Sequence, residues 1–138
     1  MTTPHKFVIV LNKRRELPEM ISGIGHVALG LGGSYQPSED LGLVTYSDAD
    51  GTDYPSISDW SVVVLRGGSG QMKNLKSALE AEELPCVSYL DTMLSGGSEA
   101  QQERTRETAA EDIELLALAT FGEVSRLDPL TKKFSVWR

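Results

Sequence analysis

The chain has 138 residues, 40% of them hydrophobic and 24% charged, with 13 Lys and Arg against 20 Asp and Glu, a formal charge of −7. A chain of this length buries roughly two thirds of its unfolded surface, so residues 1–138 are expected to fold as a single domain without a disulfide or metal staple. The charge argues against a protein that coats nucleic acid, whose affinity grows with the cations it presents. No apolar run approaches the ~18 residues of a membrane span, and MTTPHKFVIVLNKRR lacks a small-residue cleavage site, so a cytoplasmic protein with no membrane partner is expected.

The elements follow in chain order. Residues 6–12, KFVIVLN, form a continuous β-branched and aromatic run, the pattern of a strand covered on both faces. Residues 17–31 change period. At ~100° per residue, Leu17, Met20, Ile21, Ile24, Val27, Ala28 and Leu31 fall on one side of a helix, which Gly32-Gly33 is expected to end. Residues 34–59 read as loop, with one short strand at 43–46 and a turn at Asp50-Gly51. SVVVLR at 61–66 is a strand, Gly67-Gly68-Ser69-Gly70 a turn, and 71–83 an amphipathic helix. A strand at 86–90, a polar helix at 98–112, an apolar strand at 113–121 and a short strand at 133–137 complete the chain. Strands alternating with helices predict an α/β fold, a three-layer α/β/α sandwich with a small mixed sheet.

The charge is unevenly placed. Residues 16–65 contain no Lys or Arg and eight acids, for −8, leaving 13 minus 12, or +1, in the rest. Lys13-Arg14-Arg15 is the dense basic cluster and can meet a phosphate or stand as a solvated loop.

His26 lies about 180° from Leu17 in that helical arithmetic, opposite the apolar stripe. Around it fall Glu19, Ser22, Gly23 and Gly30, a small-residue groove that a ligand, a loop or another chain can approach. An imidazole there can serve as general base or hydrogen-bond donor, or simply face solvent. His5, near the terminus, carries no functional expectation. Asp91 and Thr92 follow the strand at 86–90, the sheet edge where α/β folds gather ligands; they can orient a water or cap the next turn. Gly67-Gly68-Ser69-Gly70 lacks the Lys of a phosphate-binding loop and reads as a tight turn capped by Ser69. In Asp48-Ala49-Asp50-Gly51-Thr52-Asp53 the glycine falls too early for an EF-hand, so an acidic turn is expected and no metal. The single Cys86 has no partner for a disulfide or zinc and reads as a buried structural thiol. No cofactor is expected.

KFVIVLNK, the helix ending HVALGLGG, the DADG turn, SVVVLRGGSGQMKNL and FGEVSRLDPLTKKFSVW together resemble the "domain of unknown function 2000" family over nearly the whole chain. The resemblance implies a fold similar to the type II peptidyl-tRNA hydrolases, which are usually dimeric and cleave the ester between peptide and tRNA without a metal. Placing their helical His on His26 puts Glu19 and Gly23 where those enzymes carry Lys and Gln, while Asp91 matches their acidic residue. Two readings follow. One is a binding or regulatory module using a cleft near His26 and Asp91 for a small molecule or protein ligand, with Glu19, Ser22, Gly23, Lys13 and Arg14 as binding residues. The other is a metal-independent hydrolase or acyl transferase acting on an ester such as peptidyl- or aminoacyl-tRNA, with His26, Asp91 and Thr92 as catalytic residues. A homodimer is expected on the same resemblance, and tRNA is its implied partner.

Overall fold

The computed structural model describes residues 3–137. Five strands build one mixed sheet: β1 (His5–Asn12), β4 (Ser61–Gly67), β5 (Val87–Leu90), β6 (Leu115–Glu123) and β7 (Ser135–Val136), in the order β5-β6-β1-β4-β7. β1 and β4 run parallel, with Val8 opposite Val63, and the other pairs are antiparallel. Two further strands, β2 (Leu43–Ser47) and β3 (Asp53–Ser58), pair only with each other.

Both faces of the sheet are covered. Helix α1 (Leu17–Ser34) packs Met20, Val27 and Leu31 on Ile9, Leu11, Ala119 and Phe121. Helices α2 (Ser69–Ala81) and α4 (Val124–Thr131) cover the other face, setting Met72, Leu75, Leu79 and Leu127 against Val8, Val10 and Leu118. Successive β1 side chains therefore enter opposite cores, which is why the run 6–12 has no polar alternation. Each fully buried Leu, Val or Phe contributes about 1.5–3 kcal/mol against leaving it in water.

Helix α1 departs from its expected orientation. Its buried line is Met20, Gly23, Val27 and Leu31, turned roughly 60° at ~100° per residue from the predicted stripe. Ile21 is 60% exposed and Ala28 is also outside the core. The reason is steric: Gly23 and Gly30 let the helix roll onto β5, where a Cβ on Gly23 would stand 2.4 Å from Tyr89 Cδ2 and one on Gly30 3.1 Å from Val87 Cγ1. Nor does Gly32-Gly33 end the helix, which runs through both to Ser34, whose hydroxyl donates to the Gly30 carbonyl at 2.7 Å.

Other boundaries move for local reasons. Helix α3 (Ser98–Arg106) stops short of 112, since it buries no side chain that would extend it. Residues 124–131, without a sequence prediction, form α4 despite Pro129, because Leu127 joins the core with α2 and the buried Thr131 hydroxyl donates to the Leu127 carbonyl at 3.0 Å. The region read as loop contains β3 despite Pro55. Pro is tolerated in this two-stranded ribbon because neither strand is central, and the ladder is broken there by a bulge with Ser56 at φ 65°. His5 is not a loose terminal residue: its ring lies 5.3 Å from Phe121 and 5.5 Å from Trp60 between centroids.

The acidic turn closes on itself. Asp48 accepts hydrogen bonds from the Asp50 and Thr52 amides at 2.9 Å and the Tyr54 hydroxyl at 2.8 Å. These bonds, the Thr52 amide foremost, hold its carboxyl below the usual aspartate value. Because the folded pKa is the lower one, the turn's contribution is complete above the unfolded value of about 3.9 and is lost as pH falls through the folded one. A carboxyl-carbon NMR titration is therefore expected to place Asp48 below about 3.9, and a midpoint at or above it would contradict the capped turn.

Candidate functional site

The Gly23-to-β5 contact sets the site's floor. With α1 rolled onto β5, His26 comes to the helix flank beside the sheet edge rather than opposite the core. Its ring stacks on Tyr89 with centroids 5.8 Å apart and planes 7° from parallel. Tyr89, buried on its other sides, donates its hydroxyl to the Met93 carbonyl at 3.3 Å, fixing the ring under His26.

Helix α3 supplies the facing wall. A short 3-10 turn over Asp91–Met93 follows β5, and the buried Thr92 hydroxyl meets the Thr105 hydroxyl at 2.7 Å. Arg104 donates to the Thr92 carbonyl at 2.8 Å and the Ser95 carbonyl at 3.1 Å. Between these walls lie three depressions of about 640, 520 and 200 Å³ that share His26, Met93 and Gln101. Glu19 and Ser22 line one, Ser98, Gln102, Thr105 and Arg106 another. The cleft thus offers an imidazole, two carboxamides, hydroxyls and a guanidinium above a Tyr and Met floor. Neither ring nitrogen of His26 engages in a hydrogen bond or ion pair among the described residues.

The other predicted residues take separate places. Asp91 turns away from the cleft: its carboxylate accepts the Glu114 amide at 3.2 Å, and its own amide donates to the Glu114 carbonyl at 3.0 Å. Thr92 is occupied in anchoring α3. Neither lines the three depressions, so the structure groups His26 with Glu19 and Ser22, and Asp91 with Glu114 and Arg15. Arg15 donates to Glu114 at 2.6 Å and reaches Glu19 at 3.5 Å; the Glu114 bond, against some loss from burial, raises its pKa. Lys13 and Arg14 project outward, exposed and in no ion pair among the described residues. Gly23 lines no depression and acts through Tyr89.

The glycine turn has another organisation than expected. Gly68, not Ser69, is the cap residue of α2; the Gln71 side-chain oxygen accepts its amide at 3.0 Å. The Ser69 hydroxyl instead accepts from Asn12 at 3.1 Å. Cys86 is half-buried, and burial pushes its thiol above the ordinary value, partly offset by Ser88 at 3.9 Å.

The sequence offered no signal for the cleft's floor residues Tyr89 and Met93, nor for its α3 wall of Ser98, Gln101, Gln102, Thr105 and Arg106. Tyr89 has the pattern of an ordinary strand residue, and Gln101 sits on a helix with no apolar stripe from which to orient it.

Taken together these features define a mixed five-stranded α/β protein with an open polar cleft between its first and third helices. The chain belongs to the family described as "Protein of unknown function (DUF2000)", which matches residues 5–138. Among solved structures it is similar to a protein of unknown function from Agrobacterium tumefaciens strain C58, with a TM-score of 0.82 and 14% identity over 99% of this chain and 100% of that one. That likeness shows the fold. No curated protein matches the chain. Among the described residues, no helix is long and apolar enough to cross a membrane.

Proposed function

We propose that the protein is a cytoplasmic binding or regulatory module whose ligand occupies the cleft at His26, with Thr92 anchoring the α3 wall and Asp91 tying the end of β5 to Glu114 behind it. The observation that carries this reading is the confluence of three depressions on one unengaged imidazole stacked over a fixed tyrosine. The ligand class is a small polar molecule, or a short protein segment, bearing hydrogen-bonding groups for Gln101, Ser22 and the imidazole, and a flat or aliphatic part to rest on Met93. A true ligand raises the unfolding midpoint by mass action, so a thermal-shift screen finds it. His26→Ala is then expected to weaken binding roughly tenfold or more, about 1.4 kcal/mol. Undiminished affinity in that variant would remove the cleft from the proposal.

A second reading is a metal-independent ester hydrolase on a fold similar to the type II peptidyl-tRNA hydrolases. Its support is the sheet held between helices on both faces and the unengaged imidazole, a group of the kind that takes a proton from water. Exposed Lys13 and Arg14 are its phosphate-facing cations, although Glu19 presents an acid on the same side. The assay is release of an N-blocked aminoacyl group from tRNA. Equal rates for the protein, its His26→Ala variant and buffer would reject it. In either reading the protein works as a homodimer.

A further inference from the structure

The β2–β3 ribbon stands away from both cores with an apolar face that its own chain leaves uncovered. Val44 pairs with Ile57 and Tyr46 with Tyr54. In β2 these positions are two apart and share a face; in β3 they are three apart, and only the bulge with Ser56 at φ 65° brings them to the same side. The bulge therefore collects all four side chains on one face. Tyr46, Tyr54 and Ile57 are 53%, 52% and 54% exposed. A two-stranded ribbon gains little stability alone, and a built apolar face on one calls for a cover.

Charge selects the cover. The ribbon turn carries Asp48, Asp50 and Asp53, within the stretch 16–65 that has no Lys or Arg. Ribbon against ribbon would set acids against acids, and the exposed side of α1, with Ile21 and Leu29, belongs to the same cation-free stretch. The opposite character is found between α2 and α4. There a groove of about 380 Å³ has Leu75, Ala78, Leu130 and Phe134 as its apolar lining and Lys132 and Lys133 at its rim. Neither lysine is in an ion pair among the described residues.

We propose that this groove receives the β2–β3 ribbon of a second copy, each of two chains lending its ribbon to the other. Val44, Tyr46, Tyr54 and Ile57 meet the apolar lining, while Asp50 and Asp53 meet Lys132 and Lys133. The inference rests on the dimer proposed above and names its interface. Such a contact depends on salt, because its charged rim is exposed.

The test is sedimentation equilibrium of the full chain and two charge-reversed forms, one carrying D50K and D53K, the other K132E and K133E. All four positions are exposed, and circular dichroism checks that the fold survives. The parent chain is expected to dimerise, and each reversed form to dissociate with a constant raised roughly tenfold or more. Mixing the two forms restores the dimer, since each ribbon again finds a groove of opposite charge. A chain with all four changes dimerises by itself. A dimer indifferent to both reversals would overturn this interface while leaving the dimer standing, whereas a parent chain that stays monomeric would overturn both. Failure of the mixture and of the fourfold form to recover would likewise reject the pairing.

Discussion

Gly23→Ala is expected to destabilise the protein by about 1–3 kcal/mol, the range for forcing one methyl group into a filled site. The added Cβ would lie 2.4 Å from Tyr89 Cδ2 and 2.8 Å from Cγ. Tyr89 has little room to yield, because its buried ring is held against α1 at Gly23 and His26 and its hydroxyl is tied to Met93. Alanine also gains about 0.5–1 kcal/mol over glycine in a helix interior, so the net loss understates the clash. Gly25→Ala isolates that gain: nothing lies within 4 Å of its Cβ position, and it is expected to stabilise by about 0.5–1 kcal/mol. Two substitutions of one type, two residues apart on one helix, thus act with opposite sign. Denaturant unfolding measures both, and combining Gly23→Ala with Tyr89→Leu should recover part of the loss, as contacting residues couple. If Gly23→Ala proves as stable as Gly25→Ala, Tyr89 is not wedged and the floor beneath His26 is not fixed.

The same contact explains where the sequence misleads. The run 6–12 announces a buried strand because both of its faces are apolar, and the elements β4, β5 and α2 are legible within a few residues for similar reasons. Periodicity on α1 is a sum over apolar side chains, so it counts Ile21 and Ala28 as core and gives glycine no weight. The packing gives glycine the decisive part: Gly23 and Gly30 allow the closest approach to β5, and the helix rolls toward them. That roll brings His26 to the sheet edge. The small-residue groove around His26 was visible in the spacing, but its nearest occupant proved to be β5 of the same chain. Helix α4 and strand β3 were hidden by Pro129 and Pro55, whose local cost is outweighed by burial of Leu127 in one case and absorbed by a bulge in the other. The facing wall of the cleft was not legible, since α3 is anchored by Thr92, Thr105 and Arg104 and no apolar pattern marks which side turns inward.

Asn12→Ala is expected to cost about 3 kcal/mol, given about 1–3 for each buried polar group left without its partner. Asn12 is fully buried at the end of β1, where its Nδ2 donates to the Leu115 carbonyl at 2.9 Å and the Ser69 hydroxyl at 3.1 Å, and its Oδ1 accepts the Arg14 amide at 2.9 Å. One side chain thus joins β1, the start of α2, the basic loop and the bulged end of β6. The bulge between Tyr89 and Leu90 in the β5–β6 pairing leaves the ladder irregular there, and Asn12 supplies a donor to the Leu115 carbonyl. Asn12→Asp separates polarity from geometry. It keeps the size and the acceptor for Arg14, but an ionised carboxylate cannot donate and would face a carbonyl oxygen in a buried place. The introduced group therefore has a higher pKa folded than unfolded, and the folded state binds more protons between the two values. The penalty accordingly grows as pH rises above about 3.9 and is complete once pH passes the folded value. Urea unfolding of both variants across that range checks the sign. Relative to the parent chain, the alanine form should show a nearly constant deficit, while the aspartate form should approach the parent in acid and fall below the alanine form near neutrality. A pH-independent deficit for Asn12→Asp would mean that water reaches the site and that the β1 end is held by something other than this amide.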